Sequence, residues 1–145
     1  MKIAAYAGSF NPFTIGHADI VEKALRIFDR VMILVMINPN KTTYNEMRKV
    51  DKIKEHYRNN NRVEVHCGTE TDITVNVAKS LGACVLVRGI RNSQDLSEEQ
   101  AIEQVNEKLG LPTCYLFSKI EHSFISSSLI RACEESGIEV NDWKI

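Results

Sequence analysis

Ala7-Gly8-Ser9-Phe10-Asn11-Pro12-Phe13-Thr14-Ile15-Gly16-His17 follows an apolar run, Ile3-Ala4-Ala5-Tyr6, that predicts a first strand. It enters residues 18–28, where Ile20, Val21, Ala24, Leu25 and Phe28 fall on one helical face. The stretch is therefore a strand-to-helix turn of small residues, with one proline and a histidine at the helix start. Backbone N–H groups at a helix N-terminus lack intrahelical partners and carry partial positive charge, so such a turn favours phosphate. No lysine follows Gly16 and the glycine spacing is wrong, which excludes the Walker phosphate loop; G-x-G-x-x-G is absent, which excludes the dinucleotide fingerprint. A small-residue turn ending in Thr14-x-Gly16-His17 remains.

Outward from this turn the alternation continues. Val31-Met32-Ile33-Leu34-Val35-Met36-Ile37, bounded by Asn38-Pro39-Asn40, is the short unbroken apolar run of a strand buried on both faces of a parallel sheet. A polar loop with Lys41 precedes a charged helix over 46–58, with Met47, Val50, Ile53 and Tyr57 at helical spacing. Val63-Glu64-Val65 predicts a short strand. Residues 72–82 predict a helix whose β-branched residues disfavour it locally, so tertiary contacts must favour it; Gly82 stops it. Cys84-Val85-Leu86-Val87 predicts another buried strand, leading into Arg88-Gly89-Ile90-Arg91. Ser97-x-x-Gln100 fits a capping box opening a helix with Ala101, Ile102, Val105 and Leu109 on one face, closed by Gly110 and Pro112. Cys114-Tyr115-Leu116-Phe117 predicts the last strand. Ser126-Ser127-Ser128 introduces a helix containing Leu129, Ile130 and Cys133, with Gly137 at its end. The tail through Trp143 carries no pattern that places it. Strand and helix alternate five times, which predicts a doubly wound α/β fold with a five-stranded parallel sheet and right-handed crossovers.

A chain of 145 residues predicts one domain, 1–145, large enough for a core. Charged residues at 26% and hydrophobic ones at 43% match globular averages and argue against disorder. A net charge of -1 with no basic run argues against a nucleic-acid surface, while allowing a local pocket of arginines and lysines. Cys67, Cys84, Cys114 and Cys133 form no C-x-x-C pair, so neither zinc nor a redox dithiol is indicated. Cys84 and Cys114 lie in apolar runs and are expected as small buried hydrophobes. Met1-Lys2 leads straight into a strand, so no signal peptide is expected, and no apolar run approaches membrane-spanning length. These features predict a reduced, cytoplasmic domain with no membrane and no nucleic-acid partner.

In doubly wound sheets ligands bind beyond the carboxyl ends of the strands. The first strand ends at residues 9–17, the second at Lys41, the fourth at 88–91, and the fifth leads to the serine run. One sheet edge carrying His17, Lys41, Arg88, Arg91 and two helix N-termini is an anion site, suited to a triphosphate facing a second phosphate. Phosphoryl and nucleotidyl transfer depend on alignment and on neutralising charge at the reacting oxygens. A phosphate nucleophile needs no general base, in keeping with the lack of a histidine–carboxylate pair beside the motif in the sequence.

Thr14-x-Gly16-His17 resembles the T/H-x-G-H motif of the nucleotidylyltransferase superfamily, whose members transfer a nucleotidyl group from a nucleoside triphosphate and release pyrophosphate. With it come Asn38-Pro39-Asn40-Lys41, residues 72–78, Arg88-Gly89-Ile90-Arg91 with Asp95 and Glu99, Asn106, and residues 123–131 reading S-F-I-S-S-S-L-I-R. In order and spacing the whole set resembles the phosphopantetheine adenylyltransferase family, over nearly the entire chain. The resemblance implies a Rossmann-like sheet of nucleotidylyltransferase type. It also implies transfer of the adenylyl group of ATP to 4'-phosphopantetheine, making dephospho-coenzyme A.

By that resemblance His17, Lys41 and Arg91 would be catalytic, with His17 at the α-phosphate of ATP. Ser9 would touch the reacting phosphates, with Phe10 beside it. Gly89, Ile90, Arg91 and Glu99 would hold the nucleotide, and His122, Ser123, Phe124, Ile125, Ser126, Ser127 and Ser128 would wrap the ATP phosphates. Lys41 and Arg88 would bind the acceptor phosphate, and Thr74 and Asn106 the pantetheine arm. Magnesium would bridge triphosphate oxygens, held by substrate and water, since no protein carboxylate cluster for it is visible. Several of these residues also have a plainer reading: His17 as a helix-start residue, Ser9 as a small turn residue, Lys41 as solvated charge, Glu99 as first-turn helix charge, Thr74 and Asn106 as helix-surface polars, and the serines as a helix cap, whereas two arginines at the end of a buried strand are less easily explained as surface charge. A family-type hexamer is the implied assembly.

Some positions depart from the family. Asn11 and Ser9 stand where aspartate and threonine are usual, and Leu96 and Ser97 interrupt the usual D-F-E-Y-E after Arg91. The C-terminal end is short. The competing readings are a nucleotidylyltransferase acting on nicotinamide mononucleotide, or with CTP on glycerol phosphate, and a nucleotide- or coenzyme-A-binding module without catalysis.

Overall fold

Strands that read as unbroken apolar runs require a sheet covered on both faces. The computed structural model, which describes residues 1–37, 44–69 and 72–145 (backbone alone for 44–46 and 98), contains such a sheet. Strands β1 (Ile3–Gly8), β2 (Arg30–Ile37), β3 (Val63–Thr69), β4 (Val85–Ile90) and β5 (Thr113–Phe117) are ordered β3-β2-β1-β4-β5. All neighbouring pairs are parallel, with Ala5 opposite both Met32 and Leu86. The helices are α1 (Ile15–Leu25), α2 (Tyr44–His56), α3 (Thr74–Ser80), α4 (Ser93–Lys108) and α5 (Ser127–Glu135).

Successive strand residues point to opposite faces. Ala4, Tyr6, Ile33, Val35 and Val87 pack with Ile20, Val21 and Ala24 of α1 and Val50 and Ile53 of α2. Ala5, Ala7, Leu34 and Leu86 pack with Val75 and Ala78 of α3. Full burial of a side chain the size of Ile20 or Val21 stabilises by about 1.5–3 kcal/mol. The cover therefore changes face between β3 and β4, and the chain reverses direction across the sheet between β1 and β4, where a ligand crevice forms.

Several boundaries differ from the sequence reading. α1 begins at Ile15 and ends at Leu25, because Thr14 caps it and the chain must turn into β2; Phe28 lies beyond the helix. The 72–82 segment is helical only over Thr74–Ser80, and Gly82, at φ +84°, adopts the left-handed conformation that stops it. α4 starts at Ser93, not at Ser97: Asn92 caps it by accepting from the Asp95 N–H at 3.0 Å, while the Ser97 hydroxyl donates to the Ser93 carbonyl. Cys84 is exposed rather than buried, since it lies in the connection before β4, and Cys114 is half-buried. The tail is placed by tertiary contacts. Val140 joins Ile125 and Ile130 in a small core, Trp143 packs edge-on against Phe124, and Lys144 bridges Thr14.

Candidate active site

A cleft of about 380 Å3 opens over the ends of β1 and β4. Its wall begins in the turn after β1. Phe10, 4% exposed and at φ +47°, is held in a left-handed conformation among the rings of Tyr6, Phe13 and His17, all centred within about 5.1 Å of it. Such a backbone costs on the order of 1–3 kcal/mol and persists only where packing dictates it. Thr14 then caps α1 reciprocally: its hydroxyl accepts from the His17 N–H at 3.2 Å, and its own N–H donates to His17 Nδ1 at 2.9 Å. Histidine thus takes the place that Glu or Gln fills in the usual capping box. An Nδ1 that accepts a hydrogen bond carries no proton, so the neutral ring carries its proton on Nε2. Burial, and secondarily the charge of Arg91, lowers the His17 pKa to about 4, so the ring is neutral at physiological pH.

The opposite wall is β4 and the start of α4. Arg88 donates from Nε and Nη2 to the two oxygens of Glu99, at 3.2 and 2.7 Å, and from Nη1 to the Ala7 carbonyl at 3.2 Å. Arg91 donates from its backbone N–H and Nε to Asp95, at 3.1 and 3.2 Å. Asp95 and Glu99 lie one turn apart on α4 and face these arginines. Consequently the predicted apolar face of α4 is turned outward: Ile102, Val105 and Leu109 are 52%, 57% and 40% exposed. Gly89 leaves room in the cleft floor, because a Cβ there would stand 3.1 Å from Ile20 Cγ1.

The third wall is the start of α5. Ser126 caps the helix by accepting from the Leu129 N–H at 3.0 Å, and Ser127 donates to the Pro12 carbonyl at 2.8 Å. Arg131 donates to the Ser128 hydroxyl at 3.3 Å.

Of the residues expected from sequence, the cleft brings together Ser9, Phe10, His17, Arg88, Gly89, Ile90, Arg91, Glu99, Ile125, Ser126, Ser127 and Ser128. Lys41 lies outside the described residues. Thr74, at the start of α3, and Asn106, on α4, do not line this cleft. Nor do His122, Ser123 and Phe124. His122 Nδ1 donates to Asp19 at 2.7 Å, the Ser123 hydroxyl donates to the Ile120 carbonyl, and Phe124 packs on Trp143. A histidine–carboxylate pair therefore does stand beside the motif, contrary to the sequence expectation, made by residues 103 apart. Asp19 is 5% exposed and also accepts the Lys119 N–H, so the pair ties the loop before α5 to α1. Sequence reasoning missed Tyr6 and Ser118 as lining residues. Ser118 was within reach, since it directly follows β5 at the ligand edge, whereas Tyr6 reads as core.

The cytidylyltransferase-like family profile matches residues 5–133. A phosphopantetheine adenylyltransferase of Streptococcus pneumoniae (strain CGSP14) is 39% identical over 145 residues, covering 96% of this chain and 87% of its own. One from Porphyromonas gingivalis (strain W83) is 41% identical over 144 residues, covering 98% and 93%. Among solved structures, a Vibrio parahaemolyticus protein provisionally described as a nicotinate-nucleotide adenylyltransferase superposes with TM-score 0.65 at 19% identity, over 99% of this chain and 87% of that one. At that identity the likeness speaks for the fold alone.

Proposed function

The chain belongs to the phosphopantetheine adenylyltransferase family, and we infer that it transfers the adenylyl group of ATP to 4'-phosphopantetheine, giving dephospho-coenzyme A and pyrophosphate. It is a nucleotidyltransferase of coenzyme A biosynthesis on a Rossmann-like fold. The observation that carries the reading is the convergence on one cleft of a neutral histidine, two oriented arginines and the start of α5.

In the proposed reaction a phosphate oxygen of phosphopantetheine attacks the α-phosphorus of ATP. The new P–O bond forms as the bond to the α,β-bridging oxygen breaks, and pyrophosphate leaves with that electron pair. No proton need be removed from the nucleophile. With Nδ1 tied back to Thr14, His17 offers Nε2–H to an α-phosphate oxygen, a donor already aimed where charge develops. Arg88, with Lys41, takes the acceptor phosphate; Gly89, Ile90, Arg91 and Glu99 hold the nucleotide. The α5 N–H groups and the hydroxyls of Ser126–Ser128 wrap the triphosphate, with Ser9 and Phe10 at the reacting phosphates. Thr74 and Asn106 serve the pantetheine arm. His122, Ser123 and Phe124 serve by holding the preceding loop in place. Magnesium would travel on the phosphate oxygens: the cleft's Asp95 and Glu99 are each engaged by an arginine, so the chain contributes N–H, O–H and cationic groups.

The decisive measurement is pyrophosphate release with magnesium and three pairs: ATP with phosphopantetheine, ATP with nicotinamide mononucleotide, and CTP with glycerol phosphate. Release with the first pair alone is expected. Release with another pair overturns the acceptor, and none with any pair while ATP binds favours a binding module.

We further propose a homo-oligomer, a hexamer by family resemblance, in which the outward apolar face of α4 is covered. Its support is the exposure of Ile102, Val105 and Leu109 on one helix side, where a monomer usually presents polar residues. Val105→Lys should lower the assembly's mass in light scattering; an unchanged mass places the contact elsewhere. No helix among the described residues is long and apolar enough to cross a membrane. A cytoplasmic setting is our reading, in keeping with free thiols at Cys67, Cys84, Cys114 and Cys133.

A further inference from the structure

A second cavity, of about 350 Å3, opens on the other side of the turn at residues 11–13. Its floor is apolar, with Phe13 and Ile53 3% and 1% exposed, and Ile145 beside them. Its rim carries Arg48, Lys49 and Lys52 from α2, Arg131 from α5 and Lys144 from the C-terminal segment, against one acidic side chain, Glu134. The whole chain has 18 lysines and arginines against 19 acids, so this excess of positive charge is local. Lys144 is bridged to Glu134 and Lys49 is engaged as well, so the charge available to a ligand rests on Arg48, Lys52 and Arg131. Arg131 spends its donors on the Asn11 carbonyl and the Ser128 hydroxyl, both neutral, so its charge stays uncompensated. Arg48 and Lys52 stand four residues apart on one side of α2, an arrangement of like charges that repels within a helix.

We propose that this pocket binds a small anion carrying two or more clustered phosphate groups, at a site separate from the reaction cleft. Cations from three different elements converge on one concavity, which matches a compact polyanion better than a single charge. The apolar floor lowers the local dielectric and strengthens each attraction, and the Arg48 and Arg131 guanidinium planes suit phosphate oxygens. A nucleic acid would need a basic stripe, which a chain of net charge -1 with a confined pocket does not offer. The pocket shares its wall with the cleft: Arg131 and Ser127 hold the Asn11 and Pro12 carbonyls, two and three residues beyond Ser9. The proposal does not depend on which acceptor the enzyme uses.

The probe is inorganic triphosphate, titrated by calorimetry at low salt against the full-length chain. Two binding events are expected, one in each site, because the cleft takes a triphosphate as well. The double variant Arg48→Glu/Lys52→Glu should weaken one event by about tenfold or more and leave the other, with adenylyl transfer retained. Arg91→Ala, on the nucleotide side of the cleft, should do the reverse. Orthophosphate should bind the pocket far more weakly. Both substituted side chains are exposed, so folding is checked by thermal melts, and Lys52→Gln gives a milder variant, expected to reduce the salt dependence of the same event. An isotherm unchanged by the double variant and by Lys52→Gln overturns the proposal, as does a single event that Arg91→Ala abolishes. Loss of pyrophosphate release with the first substrate pair would instead overturn the reaction and leave the pocket result standing.

Discussion

In the cleft at the ends of β1 and β4 both arginines are held by carboxylates, Arg88 by Glu99 and Arg91 by Asp95. Across the same turn, Arg48 and Lys52 rise from α2 with no ion-pair partner among the described residues. Both regions are cationic, yet they do different work. A paired arginine has little net field but a fixed direction, so it positions a phosphate rather than attracting it from afar. An unpaired surface cation attracts over about a Debye length, close to 10 Å in 0.1 M salt, and directs nothing. The cleft is thus organised for geometry, and the outer pocket for capture.

The largest expected effect tests that organisation at its centre. His17→Gln keeps a polar side chain but loses the Thr14-oriented imidazole. Turnover should fall by roughly 10^2–10^3, the usual effect of removing one preorganised oxyanion donor, while ATP affinity changes only a few-fold. Steady-state rates and direct ATP titration separate the two; normal turnover would remove His17 from the reaction and break the contrast.

Arg88→Ala comes next. Loss of a charge-assisted phosphate contact costs about 1.5–3 kcal/mol, so phosphopantetheine should bind roughly ten- to a hundredfold more weakly. Unphosphorylated pantetheine should hardly notice. Equal weakening of both would place Arg88 away from the acceptor phosphate. Glu99→Gln sharpens the comparison, because it leaves Arg88 in place but undirected. If direction matters more than charge, phosphopantetheine binding should hold within a few-fold while kcat drops; a tighter complex with unchanged kcat would mean that Glu99 merely screens Arg88.

Much of this was legible because it is periodic or local. The buried strands announce themselves as apolar runs, and the rule that ligands gather at strand ends placed His17, Arg88, Arg91 and the serine run on one edge. What escaped reading depends on pairings distant in sequence. Asp19 and His122 meet across 103 residues, and Lys144 reaches back to Thr14. α4 misled for a different reason: apolar periodicity points inward only when the interior is apolar, and here Arg88 and Arg91 draw Asp95 and Glu99 inward instead. Ser97-x-x-Gln100 has the letters of a capping box, but Asn92 stands where the chain leaves β4, and the first available cap starts the helix.

The smallest effect is the one that pH reveals. Burial, with a smaller contribution from Arg91, holds His17 near a pKa of about 4, against about 6.5 for an unhindered histidine. Between those values the unfolded chain binds a proton that the folded chain refuses. Stability must therefore fall as pH drops from about 6.5 towards 4, and the contribution is fully present above that window. His17→Gln abolishes it, so the difference in melting temperature between the parent and the variant should change steadily across pH 6.5 to 4.5, to the relative gain of the variant. Ring NMR shifts of His17 in the folded protein should stay those of the Nε2–H tautomer down to about pH 5. An imidazole that titrates near 6.5 would show that water reaches the ring, and the cleft would then lose its claim to be more fixed than the pocket across the turn.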